Sequence, residues 1–557
     1  MASCMRFCSS KVKFEMLYPA FLAASLTAGC GGDGAYVRKA EESINAKDLE
    51  RHVLALASDE FQGRRPFTAG ERKTVEYLAG EFERMGFEGA NKGDYYQDVP
   101  MVEMTVDHSG PVTVVTPAGR VDLSCPGDVI VSTSQVVERV DIRDSGLVFA
   151  GYGIVAPEYG WNDYAGLDLA GKTVLVLVND PGFATGDPSL FDGKAMTYHG
   201  RWTYKYEEAA RQGARGVIVI HETQAAGYPW SVLQNGSTGP NLVLQTEDGN
   251  ISRCGLEGWI TQDAARRVFA LAGVDFDALA AAAARRGFKP VLLDARLDLT
   301  FDQRLRFDTS KNVVAVLRGS KRPDECVVYT SHWDHFGIGA AVAGDSIYNG
   351  AADNAIPIAC MLETAKAFAG LDERPARSVV FVAVTAEEAG LLGSEYYVTH
   401  PLFPLEKTVA GLNYELFLPL GRMKDVTIYG FGKSDLDDYV TAAARAEDRY
   451  VTPDATPENG MYYRTDHFSF AKAGVPALFA KGWTDQRERG REWTAERVRE
   501  YWTNVYHTPD DEYDPSTADL AGIVEDAKLF FKIGYRLSME ETFPRWKEGA
   551  EFKRPVR

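Results

Sequence analysis

The sequence predicts an α/β protein: a mostly parallel, mixed central sheet with helices on both faces, interrupted by an inserted β-rich module. Three observations predict it. After Lys311, apolar β-branched runs alternate with helical segments, the pattern of strands buried on both faces of a covered sheet. Between about Val106 and Leu299 the texture is different, with short β-rich runs and few long helices. The chain has 557 residues, more than one hydrophobic core usually organises.

The elements follow in order. From about Asn45 to Arg84 the pattern is helical, with a helix over Thr68–Met85 that Gly86 stops. Gly110–Val115, Gly146–Ala150, Thr173–Val178 and Gly216–Ile220 read as strands, with a helix over Lys205–Gln212. An alanine-rich helix, Phe276–Arg286, precedes a return to strand at Val291. Strands are then expected at Val313–Leu317, Cys326–Thr330, Ser378–Val384, Thr408–Asn413, Asp425–Tyr429 and Ala477–Ala480. Helices are expected at Ala355–Ala369, Gly393–Thr399, Asp435–Glu447 and from Ser516 to about Met539. The expected layout is a catalytic core from residues 46–105 and 305–540, an insert over 106–304, and a loose basic tail over 541–557.

The first thirty residues read as a processing signal. Arg6, Lys11 and Lys13 give a basic start, and the apolar run Met16–Ala28 is too short to span a membrane. Leu26-Thr27-Ala28-Gly29-Cys30 resembles a bacterial lipoprotein cleavage site, although Thr27 stands where that pattern usually has leucine. The expectation is a signal peptide over 1–29, a lipid on Cys30 and a linker over 30–45, with a plain secretory signal as the alternative. That makes the protein exported, periplasmic or at the cell surface, touching membrane only through its anchor. A net charge of −19 argues against a nucleic-acid partner. Cys125, Cys254, Cys326 and Cys360 have no CxxC spacing, so a cysteine-based zinc site is excluded, while export leaves a Cys125–Cys254 pairing open.

The informative polar residues fall where strands end, which is where open α/β sheets form their sites. Ser331-His332-Trp333-Asp334-His335 follows the strand at Cys326 and offers an imidazole with a carboxylate two residues on to orient it. Asn349-Gly350-Ala351-Ala352-Asp353-Asn354 is a tight loop that lifts Asp353 to the head of a helix, as a ligand or as a cap. Glu387 and Glu388, adjacent at the end of a buried strand, repel each other unless a cation lies between them. One can ligate a metal while the other serves as general base. Leu412-Asn413-Tyr414-Glu415 ends another strand, and Thr465-Asp466-His467 and Tyr506-His507-Thr508-Pro509 come later. Each alone is weak; together they supply nitrogen and carboxylate donors, without sulfur, for two zinc ions bridged by a carboxylate.

In this order the motifs resemble the co-catalytic zinc aminopeptidases, a family that also holds the glutamate carboxypeptidases. The resemblance covers about residues 45–105 and 305–540. It implies a peptide substrate, His332 and Glu415 on one zinc, Glu388 and His507 on the other, and Asp353 bridging them. Glu387 is then the general base and Asp334 orients His332, with Asp466 and His467 behind the ligands or along the substrate wall. Glu415 departs from the family, which commonly has aspartate there. The insert resembles a protease-associated domain through Gly151-Tyr152-Gly153-Ile154, Trp161-Asn162-Asp163-Tyr164 and Gly171-Lys172-Thr173-Val174. Its aromatics Tyr198, Trp202, Tyr204, Tyr206 and Trp230 either pack internally or line the cleft. The alternatives are a carboxypeptidase for acidic C-termini, with Arg464 holding the substrate carboxylate, a glutaminyl cyclase, and a receptor-like protein without activity. A complete set of ligands argues against the last two. Gly482–Thr503 is placed to form a lid. Oligomeric state is not legible.

Overall fold

Valine-rich runs that bury both faces take the middle of a sheet, and here they do. In the computed structural model, which describes residues 33–108, 111–237 and 239–554, every residue of the strand Arg377–Val384 is buried. It lies between the end of the strand Val291–Leu317, antiparallel, and Arg322–His332, parallel. Thr408–Asn413 and Ala477–Lys481 continue the parallel run, and Asp425–Tyr429 joins antiparallel with Tyr450–Pro453 beside it. One face is covered by Ala46–Leu56, Ala69–Arg84, Ile356–Ala369 and Ala521–Met539, which bury Leu49, Phe82, Met361 and Phe530 against Val327, Phe381 and Ala383. The alternate side chains Val328, Val380 and Val382 face the other way, onto Tyr397 and Phe470. The expected covered, mixed sheet is present.

The insert has its own cores, one around Phe149, Phe269 and Phe301, another around Val174, Val219 and Trp259. Its strands Arg139–Phe149, Thr173–Leu177, Gly216–His221 and Leu256–Thr261 pair in parallel. The junction differs from a pair of linkers. Val291–Leu317 is a single strand of 27 residues, paired with Tyr96–His108 from Phe301↔His108 to Val313↔Tyr96. Arg304 and Thr105, the residues at the expected domain boundaries, face each other inside this ladder. Both halves therefore share one hydrogen-bonded ribbon.

Other differences are local. The stretch read as linker contains the helix Asp33–Glu42, whose Ala40 is buried in the core together with the following Ile44. The basic start, the apolar run and Cys30 lie outside the described residues. The tail is docked rather than loose: Phe552 buries beside Phe468, and Arg554 donates to the carbonyls of Thr408 and Val409. Cys125 and Cys254 form no disulfide, and the Cys254 thiol instead donates to the carbonyl of Ala214. The last helix starts at Ala521 rather than Ser516, because Asp514 draws the amide and hydroxyl of Ser516 into a turn.

Candidate active site

Three strand ends and two loops converge on one buried cluster. The strand Arg322–His332 ends on His332, whose Nε2 lies 3.1 Å from Asp353 Oδ1 and 3.2 Å from Glu415 Oε1. On the other side of the same carboxylate, His507 Nε2 lies 3.4 Å from Asp353 Oδ2 and 3.2 Å from Glu388 Oε2. Asp353 thus offers one oxygen to each of two histidine-centred donor sets. Glu387 Oε2 stands 3.9 Å from His332 Nε2.

The surrounding backbone is held to make this possible. Asp334 accepts from the amides of Glu387 and Glu388 at 3.1 and 3.4 Å, and its carbonyl accepts from His332 Nδ1 at 3.0 Å. The imidazole is thus held by the backbone carbonyl of Asp334 rather than by the carboxylate expected to orient it, which stands 3.7 Å from Nδ1 and aims the two glutamates instead. The amides of Ala352 and Asp353 donate to the Asp511 carboxylate, and Asn354 accepts from the amide of Leu416. Gly350 permits the turn: its φ is 56°, and a Cβ there would sit 2.3 Å from the Asp353 carbonyl and 2.6 Å from the His335 ring. Arg64, fully buried, donates to the carbonyls of Leu56, Trp333, Asn349 and Gly350 and ties the ligand loops together.

The electrostatics carry an excess of acid. Burial pulls His507 down, but Glu388 and Asp353 outweigh it and raise the imidazole to about 9. Burial likewise opposes protonation of His332, yet Glu415 and Glu387 lift it well above the ordinary value. Glu387 is pushed well above the usual carboxylate range by burial and by Glu415 and Glu388, against the pull of His332. Burial raises Asp466 to about 7, opposed by His332 and helped by Glu415. Asp353 Oδ1, Glu415 Oε2 and His507 Nε2 are buried without a hydrogen-bond partner. Buried carboxylates in this state call for a cation.

The residues fit zinc, which takes imidazole nitrogen and carboxylate oxygen. Among the described residues, His332, Asp353 and Glu415 have donor atoms within 4.8 Å of one another, as do His332, Glu387 and Glu388. A third group, His335, Asp353 and Glu388, was missed by sequence reasoning. His335 Nδ1 lies 2.7 Å from Glu388 Oε1, on the side of Glu388 that His507 does not take. Its position directly after His332-x-Asp334 was the available signal. Arg64 and Asp511 were also missed: one lies far off in sequence, the other two residues past the Tyr506-His507-Thr508-Pro509 motif. His467 belongs to none of these groups; Thr465 Oγ1 is 2.6 Å from its Nδ1, and Tyr462 and Phe479 pack on its ring. Arg464 lines the cavity beside the cluster, with Tyr429, Phe479, Trp502 and Tyr506. Trp502 comes from the end of the stretch expected as a lid, and Tyr506 follows it. Of the insert's aromatics, Tyr204 and Tyr206 pack internally, whereas Tyr198 reaches across to Phe468.

Two histidine-and-carboxylate donor sets sharing one aspartate, at the strand ends of an α/β sheet, define a metallohydrolase centre. Residues 312–531 match the model for peptidase family M28. Over 127 residues it is 32% identical to "Aminopeptidase NAALADL1" of Mus musculus, covering 22% of this chain and 16% of that protein. Over 85 residues it is 40% identical to a "Probable zinc metalloprotease" of Pyricularia oryzae, covering 15% and 16%. The chain thus spans about a sixth of the length of these curated relatives. An aminopeptidase from Aneurinibacillus sp. strain AM-1 aligns at 20% identity and a TM-score of 0.48, over 93% of this chain and 100% of that one.

Proposed function

We propose that this chain is an exported exopeptidase, an aminopeptidase that removes N-terminal residues from peptides with two zinc ions. The observation that carries the reading is Asp353, whose two oxygens face His332 with Glu415 on one side and His507 with Glu388 on the other. In this reading those five residues hold the metals, with His335 behind Glu388. Zinc held there supplies a Lewis acid and a water that ionises near neutrality. Glu387 takes a proton from the attacking water and delivers it to the leaving amine as the C–N bond breaks. Asp334 fixes Glu387 through its amide, and Arg64 fixes the loops on which His332 and Asp353 sit.

The same proposal assigns residues 46–105 and 305–540 to the peptidase and 106–304 to a protease-associated domain. It gives residues 1–29 as a signal and Cys30 as the lipid anchor, so the enzyme works in the periplasm or at the cell surface. Glu415 in place of the family's aspartate reaches further and tunes metal affinity. Metal analysis of the mature chain, paired with hydrolysis of free-amine and N-blocked dipeptide substrates, tests the reading. Two zinc per chain with cleavage of free-amine substrates is the expected result. Cleavage of N-blocked substrates alone makes it a carboxypeptidase, and no metal with no cleavage overturns it.

A further inference from the structure

Met461, Arg464 and Thr465, on one wall of the cavity beside the cluster, come from a single short segment, 457–465. That segment is little more than two 3₁₀ turns, Pro457–Asn459 and Met461–Tyr463, joined at Gly460. Turns this short have poor hydrogen-bond geometry and do little to fix themselves. What fixes them comes from elsewhere in the chain. From the insert, the Met196 amide donates to the Pro457 carbonyl at 3.1 Å, and the Tyr198 ring lies 6.0 Å from that of Tyr463. Gly460 has a φ of 63°, and a Cβ there would run into the sulfur of Met196.

From the tail comes Glu551. Its Oε1 accepts from the Tyr198 amide at 2.9 Å and its Oε2 from the Tyr463 hydroxyl at 2.8 Å, with Lys433 Nζ 3.2 Å away. One carboxylate thus joins the insert to the segment that carries the cavity wall. The tail is pinned on both sides of it. Before Glu551, the Arg545 carbonyl accepts from the Asp435 amide, the Lys547 amide donates to the Lys433 carbonyl, and Trp546 Nε1 donates to the Gly474 carbonyl. After it, Phe552 packs 6.0 Å from Phe468, and Arg554 holds the carbonyls of Thr408 and Val409. Phe552 and Met196 share a buried cluster with Tyr429 and Phe479, which also line the cavity. Covering apolar surface would need only Phe552. A carboxylate that accepts from both halves fixes their spacing, because each hydrogen bond tolerates only a narrow range of length and angle.

We infer that Glu551 is a positioning residue for the substrate cavity: the tail latches the insert to segment 457–465 and so sets where Met461 and Arg464 stand. The inference rests on the peptidase reading for its substrate and adds the residue that shapes the cavity from behind.

The test compares Glu551→Ala with Glu551→Gln on the zinc-loaded full chain, using a leucyl-arylamide. Alanine removes both acceptors. Glutamine keeps an oxygen for the Tyr198 amide, and its own N–H can donate to the Tyr463 hydroxyl. Glu551→Ala is expected to raise KM about tenfold, the size of one lost hydrogen bond with its partner left unpaired. Its kcat and zinc content should stay as they were, and Glu551→Gln should restore most of KM. Tyr463→Phe removes one arm and should add little on top of Glu551→Ala. Hydrogen exchange at the Tyr198 amide reads the latch without turnover, and should quicken in the alanine variant but not in the glutamine one. Unchanged exchange overturns the latch. Faster exchange with an unchanged KM, or a loss of kcat and zinc along with KM, overturns the positioning role. Faster exchange in a chain whose unsubstituted form hydrolyses nothing overturns the peptidase reading and leaves the latch.

Discussion

Two of the places where the molecule buries charge solve the problem differently. In the insert, Asp180 accepts from the amides of Gly182, Phe183 and Thr197 and from the Thr197 hydroxyl. Asp163 accepts from the amides of Tyr152 and Ile154 and from Trp161 Nε1, and Lys205 donates to the carbonyls of Asn179 and His199. Every one of these charges is answered by the protein itself. At the strand ends of the peptidase domain, Asp353, Glu415 and His507 keep buried atoms with no hydrogen-bond partner. Burial of charge alone therefore does not mark the site; what sets it apart is that several unanswered acceptors and imidazoles face one another there.

The largest test of this contrast is Glu387→Gln, which should lower kcat by about a thousandfold while keeping two zinc per chain. Retained activity would remove Glu387 from the mechanism. Lys205→Met should cost about 1–3 kcal/mol of stability in denaturant titrations, because it leaves the buried carbonyls of Asn179 and His199 without their donor. Zinc content in that variant should not change; a loss of metal would mean the two clusters are linked. Asp334→Asn should lower activity or zinc affinity about 10- to 100-fold, read by kinetics and competitive chelation. The smallest effect separates burial from charge assembly. His52, outside both clusters, is held down to about 4 by burial and by Arg51. The folded state then binds fewer protons than the unfolded one between pH 4 and 6.5, so stability should be lost as pH falls through that window. The slope should be at most ~1.4 kcal/mol per pH unit and absent in His52→Gln.

Much of the peptidase half was legible because its signals are local. Thr68 caps its helix through its hydroxyl, and Thr408–Asn413 and Asp425–Tyr429 appear with the expected ends. Four of the five donors were readable because each sits beside a strand end or glycine turn that sequence displays, and His507 through the Tyr506-His507-Thr508-Pro509 motif. Arg64 and Asp511 were not, since their meaning lies in contacts between segments remote in the chain. The long strand was hidden for a related reason. Val291–Leu317 alternates buried and exposed side chains through its charged middle and turns continuously apolar only at Val313. Its two ends look like different strands of different proteins.

That ribbon also makes the insert a torsion bar on the catalytic sheet. Tyr96–His108 and Val291–Leu317 leave the sheet side by side and enter the insert still hydrogen-bonded. The end of the second strand lies directly against Arg377–Val384, whose continuation carries Glu387 and Glu388. A twist applied to the insert by a partner, a surface or a bound peptide would pass along this ribbon to Arg377–Val384, the strand that leads into Glu387 and Glu388. Cutting the insert away at residues 106 and 304 would sever this bar rather than trim a linker.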